Sequence, residues 1–196
     1  MKRSLQKLNN QSGFSLTEML VVLIILLLVT GVVAAGMPVA ANAYTKVVDA
    51  GNAQVLLSTT MTALREELST ATDISVKEGT TELERYRSAR YSVLAQLSIE
   101  NDVIMLEYLR DDGSSLGTDS DSRAIRPLVS RAAATKNLYV IFDKILYSNG
   151  MFTVEGLRVI QKTGGPEPEH VIAEIEGETG TEPEPFLIRN LNAFEG

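Results

Sequence analysis

The chain contains no cysteine and no tryptophan, and His170 is its only histidine. Without thiols there is no disulfide framework, no thiolate metal site and no cysteine nucleophile. With one histidine there is no histidine-cluster metal centre. Basic residues are also in deficit: 18 lysines and arginines stand against 25 acids over 196 residues, a formal charge of −7. That balance argues against a nucleic-acid-binding surface. The catalytic signatures G-x-S-x-G, the phosphate-binding P-loop and H-E-x-x-H are missing as well. His170 sits among glutamates in a Pro-Glu-rich stretch and reads as a solvated side chain. No enzyme, no cofactor and no directly bound nucleic acid are expected.

Charge is unevenly placed. Lys2, Arg3 and Lys7 are the only charges in residues 1–13, and all 25 acids come later. Met19 to Thr45 carries no charge, and Met19–Val29 is an unbroken run of eleven apolar residues. A helix from Met19 to Ala41 would be about 34 Å long at ~1.5 Å per residue, enough for a hydrocarbon core of roughly 30 Å. The basic head would stay in the cytoplasm and the acidic body would lie outside. A secretory signal cut after Ala41-Asn42-Ala43 is an alternative, leaving a secreted or membrane-anchored binding domain. Its apolar stretch would be long for a signal of about 7–15 apolar residues, and Glu18 interrupts its start.

Gly13-Phe14-Ser15-Leu16-Thr17-Glu18-Met19-Leu20, behind a basic leader and ahead of the apolar run, resembles the processing site of type IV pilins and pseudopilins. The resemblance covers residues 1 to about 45. It implies that prepilin peptidase cuts between Gly13 and Phe14 on the cytoplasmic face, and that Phe14 is then N-methylated. It also implies that Glu18, at the fifth mature position, pairs with the new amino terminus of a neighbouring subunit. A carboxylate in an apolar helix costs roughly 2.5–3.5 kcal/mol at the bilayer centre and less near the interface, so it marks a functional site by default. Glycine suits the cleavage position because it adds no side chain and disfavours helix there. The implied partners are the peptidase, other pilin or pseudopilin subunits, the assembly platform and the membrane. Gly31, Gly36 and Pro38 interrupt the apolar helix, and Gly31 with Ala35 makes a small-xxx-small pair.

The remainder is read from its patterning. Val47, Ala50, Ala53, Leu57, Met61, Leu64, Leu68 and Ala71 recur at three- and four-residue steps, which predicts an amphipathic helix over 44–75. Residues 77–90 are charged and read as irregular. Strands are expected at Ser92–Ile99, Asp102–Leu109, Asn137–Tyr147, Met151–Gln161, His170–Ile175 and Phe186–Leu191. Ser148-Asn149-Gly150 between two apolar runs is a strong hairpin signal. The expected organisation is a leader at 1–13, a transmembrane helix at 14–43 and an extracytoplasmic domain at 44–196. Its fold class is α+β, a long N-terminal helix packed on an antiparallel β-sheet, as in pilins. Asp111, Asp112, Asp119 and Asp121 share one polar loop, but EF-hand spacing is missing, so a solvated turn is expected rather than a calcium site. Residues 164–185 hold seven glutamates and no lysine or arginine, and read as an exposed acidic loop around one short strand.

Overall fold

The computed structural model describes residues 15–116, 125–129, 137–162, 170–175 and 184–193. The chain divides into two compact units, Met1–Val47 and Val48–Gly196. One helix, α1 (Leu16–Ser69), contributes to both. Among the described residues antiparallel strands account for the rest of the regular structure, and the α+β class is as expected.

In the first unit α1 continues through Gly31, Gly36 and Pro38. Pro38 cannot donate to the carbonyl four residues earlier, yet the flanking turns stay helical. The hydroxyls of Thr30 and Thr45 donate to the carbonyls of Leu26 (2.7 Å) and Ala41 (3.0 Å). Each thus satisfies its hydroxyl within the helix, as an apolar surrounding demands. Every residue from Leu16 to Val47 is exposed, including Leu27 at 70% and Val32 at 73%. Among the described residues this is the one helix long and apolar enough to cross a membrane.

In the second unit α1 buries Ala53, Leu56, Leu57, Thr60, Leu64, Glu67 and Leu68. These recur at steps of three and four, so they form one face. Ala50 of the expected stripe is exposed, while Leu56 and Glu67 join it. The helix stops at Ser69, before the 75 expected from the stripe. The β-branched residues of β1 (Thr72–Val76) form a strand instead. No glycine caps the helix end. Leu191 N–H donates to Ser69 O (2.7 Å), Asn192 Nδ2 to Thr70 O (2.7 Å) and Asn190 Nδ2 to Ala71 O (3.0 Å). A segment far along the chain thus satisfies carbonyls at and just after the helix end.

Among the described residues three sheets complete the unit. The first runs β1, β2 (Leu83–Ser88), β3 (Val93–Glu100), β4 (Val103–Leu109) and β5 (Ile125–Pro127) as neighbours in that order. β2 lies in the stretch expected to be irregular. Its charges sit at Glu84, Arg85 and Arg87, while Tyr86 and Ser88 point inward at 0% exposure. β5 carries Pro127 on a sheet edge, where a missing donor is tolerated. The two longest expected strands are each broken. Asn137–Tyr147 becomes β6 (Leu138–Ile141) and β7 (Lys144–Ser148); Met151–Gln161 becomes β8 (Met151–Glu155) and β9 (Arg158–Gln161). β7 and β8 form the predicted hairpin about Asn149 (φ 49°) and Gly150 (φ 73°), both left-handed as a tight turn requires. The hairpin then turns a corner at Asp143 and Gly156 (φ 68°), where Arg158 binds Asp143 at 2.9 Å. A Cβ on Gly156 would collide with the Asp143 carboxylate.

Beyond the corner the same two chain segments serve another sheet. β6 and β9 pair with each other, and β9 also pairs with β10 (His170–Glu174). On the near side β8 pairs with β11 (Phe186–Arg189). Leu64, Leu68, Tyr86, Leu106, Phe152, Val154, Val159 and Ile188 belong to one continuous core. Fully burying one such side chain contributes about 1.5–3 kcal/mol.

Candidate functional site at the start of the long helix

Glu18 lies in the first turn of α1, with Ser15 immediately before the helix. Ser15 N–H donates to Glu18 Oε2 (3.0 Å), and Glu18 N–H donates to Ser15 Oγ (3.3 Å). This reciprocal pair is a capping box: each side chain accepts from an amide that the helix leaves without an intrahelical partner. The Ser15 hydroxyl also lies 2.7 Å from that of Thr17. The carboxylate therefore sits at the positive end of the helix dipole, folded back onto its own backbone. It remains exposed, with Leu16 beside it at 83%. Ser15 was not among the expected site residues. The spacing Ser15-Leu16-Thr17-Glu18 ahead of an apolar run carries the capping signal. Gly13 and Phe14, the expected cleavage and methylation positions, lie outside the described residues.

The charge-free interior of α1 separates Glu18 from Lys46, the next ionisable group apart from Tyr44. The two are about 42 Å apart along the helix at ~1.5 Å per residue. A bilayer with its headgroups is about 40–45 Å thick, against roughly 30 Å for the hydrocarbon alone. An inserted helix of this length can place both charges at headgroup level. Tyr44, 72% exposed, falls where an interfacial aromatic side chain is favourable.

The other features singled out from sequence do not converge on a site. Asp111 pairs with Arg87 at 3.2 Å, and Arg87 also binds Asp73 at 2.6 Å. Asp112 accepts from the Ser114 hydroxyl (2.6 Å) and amide (2.8 Å), and these bonds hold its carboxyl below the usual range. Asp119 and Asp121 lie outside the described residues. Among the described residues no group of three or more histidines and acids could hold a metal ion. His170 opens β10, exposed and opposite Gln161.

One comparison with known proteins matches the chain at this helix start. Residues 8–34 match the prokaryotic N-terminal methylation motif, the prepilin-type cleavage motif of type IV pilins and pseudopilins. The matched stretch contains Gly13, Phe14, Ser15 and Glu18 and runs into the exposed apolar half of α1. The motif supports a type IV pilin- or pseudopilin-type protein, processed by prepilin peptidase and assembled with other such subunits at a membrane. Comparisons with curated proteins and with solved structures return no match.

Proposed function

We propose that the protein is a structural subunit of a type IV pilus or of a secretion or competence pseudopilus, in the role of a minor pilin or pseudopilin. The observation that carries this reading is the methylation motif at residues 8–34, which runs into the exposed apolar half of α1. On this reading prepilin peptidase cuts after Gly13 in the cytoplasm and Phe14 becomes the methylated terminus. The leader is residues 1–13, the membrane and filament segment 14–43, and the extracytoplasmic domain 44–196. Lys2, Arg3 and Lys7 favour retention of the N-terminus inside.

Glu18 then has two successive partners. In the lone subunit its carboxylate accepts from the Ser15 amide. On assembly it pairs with the amino terminus of a neighbouring subunit, and an ion pair in a low-dielectric bundle fixes register between helices. Apolar packing of Leu16 to Val33 supplies the driving force, and the assembly platform supplies the subunits in order. The role is structural rather than enzymatic.

Mass spectrometry of the mature N-terminus, on protein from its native cells, tests the proposal. A start at methylated Phe14 is expected. A start at Tyr44 would mean ordinary signal-peptide secretion and would overturn the filament role.

A further inference from the structure

β5 ends the five-stranded sheet and is only three residues long, each of them half-buried. Its register sets Met105 opposite Pro127 and Leu106 opposite Arg126. One residue further on, Leu128 N–H donates to Ile104 O at 2.8 Å. Opposed residues in an antiparallel ladder alternate between bonded and non-bonded pairs. Ile104 and Leu106 therefore aim their backbone groups at the β5 segment, while Met105 and Glu107 aim theirs at β3. The β3–β4 hairpin agrees. Glu100 and Val103 flank a turn of Asn101 (φ 49°) and Asp102 (φ 60°), and close it as a bonded pair. The next even position of β4 is also taken, since Leu116 N–H donates to Tyr108 O at 3.0 Å. By the same alternation the nitrogen of Pro127 faces away from β4, out of the sheet edge. A strand arriving there would find the central donor missing. The opposite end of the sheet is interrupted too: β1 changes register around Ser75, and Asp73 takes φ 46° within it. Bulges, prolines and short edge strands are devices that blunt a sheet edge.

So short a strand has few backbone bonds to hold it, and Arg126 adds a side-chain clasp. It stands opposite Leu106, on the face that carries Tyr108. Its guanidinium lies 5.2 Å from the centre of the Tyr108 ring and 4.9 Å from that of Tyr91, and donates to the Tyr91 hydroxyl at 3.0 Å. The two rings meet edge to face, 5.1 Å apart. One side chain thus ties β5 both to β4 and to the turn between β2 and β3. The strand it covers is apolar: from Val103 to Leu109, Glu107 is the one charge. A bare β4 edge would suit a second copy of itself. A two-fold pair centred on Met105 would set Ile104 opposite Leu106 of the second copy and Glu107 opposite Val103, so apolar groups meet and like charges do not. We infer that β5 is a built-in stop, fastened by Arg126, that keeps two copies of this chain from joining edge to edge through β4. The stop rests on the fold of the second unit and is independent of the filament role.

Arg126→Ala, made in the full chain in detergent, tests it by two readouts. In dilute protein, losing two cation–π contacts and a hydrogen bond should speed hydrogen exchange of the Leu106 amide by about tenfold. The Met105 and Glu107 amides, bonded to β3, should keep their rates. Equal acceleration of all three would mean a general loosening of the sheet, and no acceleration would mean no clasp; either overturns the fastening role. At higher concentration, light scattering should show the dimer dissociation constant falling about tenfold against the unsubstituted chain. An unchanged constant would overturn the stop. A cysteine pair supplies the second arm, and the chain has no native thiol to compete. Glu107 and Ile125 oppose each other as a non-bonded pair, whose Cα separation of ~4.5 Å suits a disulfide. Adding Glu107→Cys and Ile125→Cys to Arg126→Ala should give a chain that is monomeric when oxidised and associates when reduced. The same association state in both redox forms would overturn the inference.

Discussion

Replacing Asn190 with alanine should loosen the whole second unit, and the structure indicates by how much. Asn190 is 3% exposed. Its Nδ2 donates to Ala71 O at 3.0 Å and its Oδ1 accepts from Asn192 N–H at 2.7 Å. Its backbone amide donates to Gly150 O at 2.9 Å, which ties the β7–β8 turn to the same point. Asn190→Ala removes two side-chain bonds, each contributing about 1 kcal/mol net. Ala71 is 1% exposed, so water cannot easily replace the lost donor, and the stranded carbonyl adds roughly 1 kcal/mol more. The expected loss is about 3 kcal/mol, or roughly 6–12 °C in Tm for a domain of this size. Asn192→Ala should cost far less, about 0.5–1 kcal/mol, because its bond to Thr70 O is exposed. Urea unfolding of the full chain in detergent, followed by far-ultraviolet circular dichroism, measures both. Equal, sub-kilocalorie losses for the two variants would refute the assignment of Asn190 as the keystone of the helix end.

Three further outcomes are expected. Glu18→Gln keeps an oxygen to accept from Ser15 N–H but loses the charge; filament incorporation should fall while cleavage persists, whereas unchanged incorporation would leave Glu18 with a capping role alone. Burial raises the Tyr108 phenol to about 12, partly opposed by Arg126, and burial beside Glu67 raises Tyr86 well above its ordinary value. Both states hold these protons below pH 10; above it the unfolded chain gives them up first, for Tyr108 until about 12, so stability should fall as pH rises. A Tm series from pH 9 to 11.5 should show a shallower decline for Tyr108→Phe, and parallel slopes would contradict the raised value. Gly156→Ala places a side chain at φ 68° against Asp143, and should cost about 2 kcal/mol or more, read as a lower urea midpoint.

The sequence was most informative where one physical demand dominates. A stretch from Met19 to Thr45 without a single charge, opening on eleven apolar residues, leaves little choice but an exposed helix of membrane-sized length. Asn149-Gly150 likewise satisfies a turn that few other pairs can make. β2 was hidden because its outward face is so charged that Tyr86 and Ser88 carry the inward pattern almost alone. The breaks within 137–147 and 151–161 were hidden for the opposite reason. Apolar residues continue across the corner, and only Asp143 and Gly156 mark the change of sheet. The helix end was least legible, since its partners are over a hundred positions away. At the functional site, Glu18 was visible as a charge that an apolar helix should not contain. Its bond to Ser15 needed the capping spacing to be read as well.

The clasp between residues 69–71 and 190–192 also orders events in time. The hairpin of β6 to β9 is made from local contacts and can form early, since short loops close fast. The end of α1 has to wait: until Asn190, Leu191 and Asn192 have emerged, the carbonyls of Ser69, Thr70 and Ala71 lack the donors that complete them. A chain delivered N-terminus first, whether from a ribosome or across a membrane, would hold its longest element unfinished until residues 190–192 arrived. Completion of the second unit is thereby tied to the arrival of a segment more than a hundred positions downstream of the helix end.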